Sequence, residues 1–351
     1  MAALIFLTST PPTIEEGSGT WVGISVLRAA IAALGHEVTL VAPTTPSRIA
    51  FNFRARSILR RMSADALVGF DFDGVFVQRR GMLHVAAIKG VLADEAEYER
   101  GFSRLGLALQ ARLEGMHVRR ADRVIATSLY SAEQIARFYG VERRRIGVVP
   151  ELIDLAAWQR GLRAAPVEPG RPRVLCVAHL YRRKRVDVLL RAFARIRGDA
   201  VLRIAGAGPE RSRLQLLASQ LAISGRVDFL GHLPFERLLA EYRNAAVFAL
   251  PSAQEGFGIV FLEAMASSLP VVAARAAAVP EVVADGSTGI LVPPGDDAAL
   301  AAALTRLLDD ASTRRTMGSA GRKHVGQFDA PLVAQKFLDA IRFQAPMSRK
   351  K

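Results

Sequence analysis

The stretch that decides the fold runs from Leu250 to Pro270 and reads LPSAQEGFGIVFLEAMASSLP. An apolar run that ends at its first residue predicts a buried strand, and the composition from Ile259 to about Ser268 predicts a helix. In the turn between them, two glycines flank Phe257 and let the backbone approach a ligand closely. The start of a helix presents N–H groups and the positive end of a dipole, which favour a phosphate. The stretch therefore predicts a strand–turn–helix unit that binds an anionic ligand.

Two carboxylates frame this unit, Glu255 on the turn and Glu263 eight positions further along the chain. Eight residues of helix rise roughly 12 Å, whereas the two carboxyl groups of a glycosidase lie about 5 to 9.5 Å apart. The spacing therefore favours carboxylates that hold two ends of a long ligand over a hydrolytic pair. The alternative is an ordinary amphipathic helix on which Glu263 is solvated.

Outward from this stretch, strands and helices alternate along the chain, which predicts a parallel, doubly wound α/β fold. Strands are predicted at 3–7, 37–41, 73–77, 123–126, 174–178, 201–205, 227–230, 246–250, 270–273 and 289–292. A long helix is predicted from about Ala93 to Arg119, and the composition of 164–170 is typical of a linker. The length of 351 residues is sufficient for two domains. Two such domains bind ligands in the cleft between them.

The segment Glu255-GFGIVFL-Glu263, with Pro-Ser before it and AMA and PVV after it, resembles the E-x7-E motif of retaining GT-B glycosyltransferases of family 4. The similarity is strongest from about Arg123 to Leu308 and includes ADRVIATS, IGVVPELID, RIAGAGP, VDFLGHLP and VPEVVADGSTGILVPPGD. It implies the α/β fold named GT-B, in which two Rossmann-like, doubly wound domains face an interdomain cleft. The implied domains are an acceptor-side domain over 1–164 and a nucleotide-sugar-binding domain over 165–328. The segment 329–351 is expected to form a helix that returns to the first domain, followed by a basic tail.

The resemblance also implies which residues meet a nucleotide-sugar donor. Glu255 is expected to contact the donor sugar as a catalytic residue, and Glu263 is expected to bind the nucleotide ribose. Gly19 belongs to the glycine-rich turn that opens the first helix. The other implied donor-binding residues, most of them acting through the backbone, are Gly208, Leu233, Gly256, Phe257, Gly258 and Ile259.

Two lysines are further candidates. A leaving nucleoside diphosphate needs fixed positive charge or a metal, and Lys184 in AHLYRRKRVD resembles the lysine of the family's G-R-L-x-x-x-K-G-x-D. His179 stands where the family has arginine, and Ala178 and Arg185 replace its two glycines. A neutral imidazole binds phosphate poorly, so a neighbouring arginine is the alternative clamp. Lys89, followed by Gly90, occupies the place where many family members have His-Asp near the donor sugar; the alternative is a surface lysine.

No metal or other cofactor is implied, and none of the six histidines has metal-ligand spacing. Asp71-Phe72-Asp73 has the D-x-D pattern by which GT-A enzymes chelate a metal, but those enzymes lack a second sheet. We expect the two aspartates to be solvated at a strand end. The glycines near Gly19 also resemble a dinucleotide-binding fingerprint. The second predicted strand, however, ends in Ala-Pro-Thr without the acidic residue that would bind a ribose, which argues against a dehydrogenase.

The net charge of +14 and the pI near 10.8 come largely from short arginine runs and indicate a polyanionic partner, unless base composition alone explains them. The runs mostly lack the interleaved aromatic residues of nucleic-acid-binding proteins, so we expect no nucleic acid. Ser47–Met62 predicts a helix with five arginines on one side and apolar residues on the other, which could rest on an anionic membrane surface. Alternatively, the apolar residues of this helix pack on their own domain.

The expected function is that of a retaining glycosyltransferase, which moves a sugar from a UDP- or GDP-hexose to a glycan or lipid-linked acceptor in cell-surface polysaccharide or glycolipid synthesis. A GT-B sugar-nucleotide epimerase and a basic nucleic-acid-binding protein are the alternatives. One cysteine, Cys176, and the lack of an apolar run of membrane-spanning length predict a cytoplasmic protein. We expect it to be peripheral on the inner face of the plasma membrane.

Overall fold

The computed structural model describes residues 1–10, 19–43, 47–77 and 81–342, and the chain divides into two compact units. Unit 1 contains Met1–Leu152 and the helix that begins at Ala330, and unit 2 contains Ile153–Asp329. Each unit holds a six-stranded sheet in which every strand pairing is parallel. The predicted α/β class with two doubly wound sheets is confirmed.

The sheet of unit 1 has the order β2-β1-β3-β4-β5-β6. Its strands are β1 (Ala3–Leu7), β2 (Glu37–Val41), β3 (Ala66–Phe70), β4 (Leu83–Ile88), β5 (Arg123–Ala126) and β6 (Ile146–Val148). The direction of winding reverses between β1 and β3. The carboxyl ends of the strands at such a switch point are where doubly wound sheets bind ligands.

The sheet of unit 2 has the order β12-β11-β10-β7-β8-β9, which is the strand order of dinucleotide-binding sheets. Its strands are β7 (Arg173–Val177), β8 (Val201–Ala205), β9 (Val227–Gly231), β10 (Val247–Leu250), β11 (Val271–Ala274) and β12 (Gly289–Val292). The switch point lies between β7 and β10. Because the Glu255 turn follows β10, the deciding stretch of the sequence begins at this switch point.

Helices connect most of the successive strands and pack on both sheets, while the described residues between β3 and β4 form turns. They are α1 (Gly19–Ala33), α2 (Arg48–Leu59), α3 (Leu92–Glu97), α4 (Gly101–Arg120), α5 (Leu129–Tyr139), α6 (Leu155–Ala164), α7 (Val186–Ala194), α8 (Arg211–Gln220), α9 (Phe235–Asn244), α10 (Ile259–Ala266), α11 (Val279–Val282), α12 (Asp297–Asp309), α13 (Ala311–His324) and α14 (Ala330–Arg342). In unit 1, Ile31 of α1 and Phe337 of α14 belong to the same buried cluster as Phe6 of the sheet. In unit 2, Phe248 of the sheet and Phe261 of α10 share the core.

The strand predicted at 73–77 is wrong. Strand β3 lies earlier, and 71–77 forms successive turns, in which the Asp73 N–H donates to the Phe70 carbonyl and the Val75 N–H donates to the Phe72 carbonyl. Apolar residues lie on both sides of Asp71 and Asp73, so composition did not show which side pairs in the sheet. Strands β4 and β6 were not predicted, because β4 contains two alanines and a histidine and β6 has three residues.

The single helix predicted from Ala93 to Arg119 is two helices, α3 and α4. The chain leaves the helical conformation at 98–100, and Arg100 is extended, with φ −134° and ψ 162°. Helical spacing of apolar residues continues on both sides of so short a break, so the sequence pattern did not show it.

Helix α2 does not separate its arginines from its apolar residues as predicted. Its inner face, with Phe51, Ala55 and Leu59 at intervals of four, packs into a buried cluster of unit 1. The exposed residues of α2 and of the turn after it include the large apolar side chains Ile49, Phe53 and Ile58 as well as the arginines Arg54, Arg56, Arg60 and Arg61. The exposed surface of α2 therefore carries basic and apolar side chains side by side.

Candidate functional site

Strand β10 is buried along its whole length and delivers the chain to the switch point of unit 2. Helix α10 begins at Ile259, as predicted, and is preceded by Gly258 with φ 95°. A Cβ on Gly258 would lie 2.5 Å from the Phe261 ring, so no other residue fits without a shift. The first turn of α10 supplies backbone N–H groups of the kind that bind phosphate at a helix N-terminus.

The structure brings Glu255 and Lys184 together. Lys184 Nζ donates to Glu255 Oε1 at 2.7 Å, and Ser252 Oγ donates to the same oxygen at 2.8 Å. The side chains of Lys184 and Glu255 are only 14% and 7% exposed. A buried ion pair gains little net stability, because desolvation offsets the attraction between the charges. A pair of this kind at a switch point is a candidate for function.

The loop that carries Lys184 is tied to the loop that carries Glu255. Lys184 ends a 3-10 turn after β7, and the Ala253 N–H donates to the Arg183 carbonyl at 2.8 Å. Arg185 then adopts φ 50° and ψ 37°, a left-handed conformation. A residue other than glycine pays about 1 kcal/mol for that conformation, and such strain persists only where surrounding contacts hold it. Replacing the family's glycine by Arg185 therefore strains the loop beside Lys184.

His179 precedes this turn and is half-buried. Burial lowers the pKa of its imidazole, and the nearby Lys184 and Arg183 cations lower that pKa further. The ring is therefore neutral at pH 7 and does not supply the charge of the arginine that the family has at this position.

Glu263 lies on α10, half-buried, and its carboxylate is not simply solvated. The hydroxyl of Tyr242 on α9 donates to Glu263 Oε2 at 2.7 Å. Burial raises the pKa of Glu263 to about 7, and the tyrosine hydroxyl opposes that rise. Glu263 therefore changes charge close to neutral pH.

The remaining predicted donor-binding residues of unit 2 lie on its loops. Gly208 follows β8 with φ 157°, and a Cβ there would lie 2.6 Å from the Leu180 backbone N, so this glycine lets two loops pass closely. Leu233 is half-buried in the turn after β9. Phe257 is 4% exposed, with its ring edge-on to Phe328 at 5.6 Å, so its side chain belongs to the core and only its backbone is available. Gly256 and Ile259 are half-buried beside it.

Gly19 and Lys89 lie in unit 1. Gly19 is the exposed first residue of α1, and the preceding Gly17-Ser18 part of the predicted turn lies outside the described residues. Lys89 is not a surface lysine, because its side chain is 9% exposed and its Nζ lies 2.8 Å from Glu151 Oε2. Its positive charge is therefore already paired with a carboxylate of the same unit.

The two aspartates of the D-x-D pattern are buried, which contradicts the expectation that they are solvated. Asp73 accepts from the Ser9 backbone and hydroxyl and from Asn52 Nδ2, at 2.5, 2.8 and 2.6 Å. Arg48 was expected on the membrane-facing side of α2, but its Nη2 lies 3.7 Å from Asp71 and 4.0 Å from Asp73. Burial raises the pKa of Asp71 to about 6, although Arg48 lowers it. These residues form a polar cluster at the switch point of unit 1.

Two family models match the chain, and they adjoin each other along it. The model described as "Glycosyltransferase Family 4" matches residues 17–157, and the one described as "Glycosyl transferases group 1" matches residues 162–324. The chain belongs to glycosyltransferase family 4.

Two curated relatives of this family 4 chain come from Nocardia farcinica and Mycolicibacterium smegmatis. The D-inositol 3-phosphate glycosyltransferase of Nocardia farcinica is 36% identical over 272 residues, which cover 73% of this chain and 59% of that protein. The GDP-mannose-dependent alpha-(1-6)-phosphatidylinositol monomannoside mannosyltransferase of Mycolicibacterium smegmatis is 36% identical over 253 residues, or 68% of this chain and 65% of that protein. The chain thus spans about three fifths of the length of the curated relatives it matches.

Among solved structures, the sucrose-phosphate synthase of Thermosynechococcus elongatus matches with a TM-score of 0.81. The alignment covers 97% of this chain and 98% of that one, at 24% identity. This likeness supports the GT-B-like fold that the sequence of the family 4 chain predicts.

Within the described residues of this family 4 chain, no three His, Cys, Asp or Glu side chains lie close enough together to bind one metal ion. No helix among them is both long enough and apolar enough to cross a bilayer. Independence from metal stays a prediction.

Three side chains that hold predicted site residues were not predicted from the sequence, namely Ser252, Tyr242 and Glu151. Ser252 belongs to the Pro-Ser dipeptide of the motif and could have been assigned to Glu255. Tyr242 and Glu151 lie 21 and 62 residues from their partners, and no local pattern links such distant positions.

Proposed function

We propose that this chain is a retaining glycosyltransferase, which moves a hexose from a UDP- or GDP-linked donor to a glycan or lipid-linked acceptor in the synthesis of cell-surface polysaccharide or glycolipid. The observation that carries the proposal is the buried Lys184–Glu255 pair at the switch point of unit 2. It holds a carboxylate suited to sugar hydroxyls beside a cation suited to phosphate. Family membership supports the proposal, since both curated relatives described above are named as sugar transferases and one of them as GDP-mannose-dependent.

The main chemical demand in such a transfer is the negative charge that develops on the departing nucleoside diphosphate. An ammonium has three N–H donors, so Lys184 can bind Glu255 and still donate to phosphate oxygens. The first turn of α10 adds backbone donors and its dipole. Donors that are fixed before the reaction stabilise the transition state because they need not reorganise. Glu255, held by Lys184 and Ser252, would orient the sugar.

The direct test of the proposal is a thermal-shift screen of the wild-type protein. UDP, GDP and their hexose conjugates are compared with ATP and NAD at equal concentrations. A ligand at one hundred times its Kd stabilises the folded protein by about 2.7 kcal/mol. We expect either the uridine or the guanosine series to raise Tm. A screen in which no nucleoside diphosphate raises Tm contradicts the proposal.

Replacing Glu263 by glutamine is expected to weaken binding of the free nucleoside diphosphate. A charged acceptor makes stronger hydrogen bonds to ribose hydroxyls than an amide does, and a loss of about 1.4 kcal/mol is tenfold in Kd. Isothermal titration calorimetry at pH 8 measures the Kd of the free nucleoside diphosphate for wild type and variant. Unchanged affinity in a folded variant removes Glu263 from the ribose site.

The same variant should be more stable than wild type without ligand at pH 8. Because the pKa of Glu263 is raised from 4.5 to about 7, its contribution to stability is greatest below pH 4.5 and is lost as pH rises through 7. Glutamine does not ionise and so avoids that loss. We expect the free energy of unfolding of the variant at pH 8 to be higher by about 1–3 kcal/mol. Urea unfolding at pH 4 and pH 8 checks the sign, since the advantage of the variant should appear only at the higher pH.

We further propose that the acceptor is lipid-linked and that the protein works at the cytoplasmic leaflet. The mixed surface of α2 exposes Phe53, with 59% of its surface accessible, among arginines. Arginines near an anionic surface contribute about 1 kcal/mol each, and apolar side chains can enter the interface between them. The relative from Mycolicibacterium smegmatis is named for phosphatidylinositol monomannoside, a glycolipid, which fits a membrane-bound acceptor.

Vesicle co-sedimentation tests this surface. Wild type should pellet with anionic but not with neutral vesicles, and raised salt should release it because screening shortens the attraction. Changing Arg54, Arg56, Arg60 and Arg61 to glutamine should abolish pelleting. The matched control removes the same charge from exposed arginines elsewhere in unit 1, at Arg137, Arg143, Arg144 and Arg145. If wild type stays in the supernatant with anionic vesicles at low salt, or both quadruple variants lose binding equally, α2 is not a membrane surface.

A further inference from the structure

Tyr242 is a fully buried side chain on α9 whose only polar atom beyond the backbone reaches Glu263. Its ring stacks with Phe248 at 6.0 Å and meets Trp158 edge-on at 5.3 Å, so aromatic neighbours on two sides fix its position. Its hydroxyl donates to Glu263 Oε2 at 2.7 Å. A glutamate side chain has three torsions, so a hydrogen bond to its carboxylate restricts where that carboxylate lies. A tyrosine packed on both sides, in contrast, is already held in one position.

We propose that Tyr242 is a positioning residue for nucleotide binding: its buried hydroxyl holds one oxygen of the Glu263 carboxylate and leaves the other for a ribose hydroxyl. The inference rests on the proposed function, because it takes Glu263 as the ribose ligand. It adds a residue outside the E-x7-E segment that holds this carboxylate in its ionised form.

The neighbours of α10 in the described residues give Glu263 no counter-ion. Helix α6 meets α10 through Trp158 and Gln159, which donate to Ser267 and to the Ala266 carbonyl, and α13 packs through Gly318 and Gly321. The Cys176 thiol interacts with Tyr242, and burial raises the pKa of that thiol to about 12, so it is neutral at pH 7. The groups that act on the pKa of Glu263 are its buried surroundings and the hydroxyl of Tyr242. None of these contacts places a cation on Glu263. The hydroxyl of Tyr242 is therefore the group that stabilises its ionised form.

This arrangement makes nucleotide affinity depend on pH in a defined direction. The ionised carboxylate is the form that accepts from ribose, and burial raises the pKa of Glu263 to about 7. The ionised fraction, and with it the affinity, should rise about tenfold between pH 6 and pH 8. Removing the tyrosine hydroxyl removes a stabiliser of the charge. The midpoint of the affinity profile should then move to higher pH, by about one unit.

The test is calorimetric titration of UDP and GDP from pH 5.5 to 9 into wild type, Tyr242→Phe and Glu263→Gln. The pH dependence of the affinity of Glu263→Gln is subtracted from that of wild type and from that of Tyr242→Phe. This removes the contribution of the terminal phosphate of the ligand, which also titrates in this range. Tyr139→Phe is the matched control, since the buried Tyr139 hydroxyl donates to Glu114 in unit 1. We expect Tyr242→Phe to bind about fivefold more weakly at pH 7 and nearly normally at pH 9. Tyr139→Phe should keep the wild-type profile even if its Tm falls.

The outcomes separate this inference from the proposed function. If Glu263→Gln keeps both the affinity and the pH profile of wild type, the ribose role of Glu263 is wrong and the inference fails with it. If Glu263→Gln loses affinity while Tyr242→Phe keeps the wild-type midpoint, the proposed function stands and the positioning role is wrong. A loss in Tyr242→Phe that is equal at every pH also contradicts positioning, because a merely structural defect has no reason to be reversed at high pH.

Discussion

Replacing Glu255 by glutamine should lower the rate of nucleoside diphosphate release from the nucleotide sugar by about 100- to 1,000-fold, the range seen when one fixed group that stabilises a transition state is removed. Affinity for the free diphosphate should change by no more than about threefold, because the proposed contact of Glu255 is with the sugar. Glutamine still accepts from Lys184 and Ser252, so the turn should keep its shape. Chromatographic detection of released diphosphate gives the rate, and calorimetry gives the affinity.

The control for Glu255 is Glu241→Gln. Glu241 forms a half-buried ion pair with Arg203 in the same unit, and both of its carboxylate oxygens bond to that arginine and not to the motif. This variant should lose some stability and keep near-normal turnover. Equal turnover in Glu255→Gln and Glu241→Gln would contradict a catalytic role for Glu255.

Replacing Lys184 by methionine has the second large expected effect, and it should appear in three measurements. Turnover should fall by about 100-fold or more, since the charge on the leaving group loses its cation. Affinity for the free diphosphate should fall by about 10- to 100-fold, because a charge-assisted hydrogen bond is worth about 1.5–3 kcal/mol and each 1.4 kcal/mol is tenfold. The free energy of unfolding should fall by about 3 kcal/mol, because Glu255 is left as a buried charge without its partner.

A double variant separates these effects. Lys184→Met with Glu255→Gln removes both charges, so the stability lost in the single lysine variant should largely return while turnover stays low. Arg203→Met is the control, because it breaks an ion pair of the same unit and should lower stability without changing diphosphate affinity. If the double variant regains turnover along with stability, Lys184 is structural and not catalytic.

The fold class was predictable because its determinants are local. Most of the parallel strands are short apolar runs that end close to glycine, proline or polar residues, and β1, β2, β5, β8 and β12 have the predicted bounds. The prediction failed where the local signal was ambiguous. Apolar residues both precede and follow Asp71, so the strand was predicted at 73–77, whereas β3 lies at Ala66–Phe70.

The candidate site was predictable only in part, for a related reason. Glu255, Lys184 and Glu263 lie in segments that resemble motifs of the family, so the resemblance identifies them. The burial of Asp73 depends instead on Ser9 and Asn52, which lie 64 and 21 residues away. Likewise, the inward turn of Arg48 depends on two aspartates that no helical pattern reveals. A sequence pattern predicts which side chains can act but not which distant side chain holds them.

The most direct test of the central claim is NMR observation of a nucleotide sugar during turnover by the wild-type protein. The donor is the one selected by thermal shift, and water stands in for the acceptor. We expect slow release of nucleoside diphosphate together with free hexose whose first-formed anomer has the configuration of the donor. Glu255→Gln should leave the donor intact over the same period. A donor that binds but is never cleaved by wild type, a first-formed anomer of the opposite configuration, or conversion to an epimeric sugar would contradict the account.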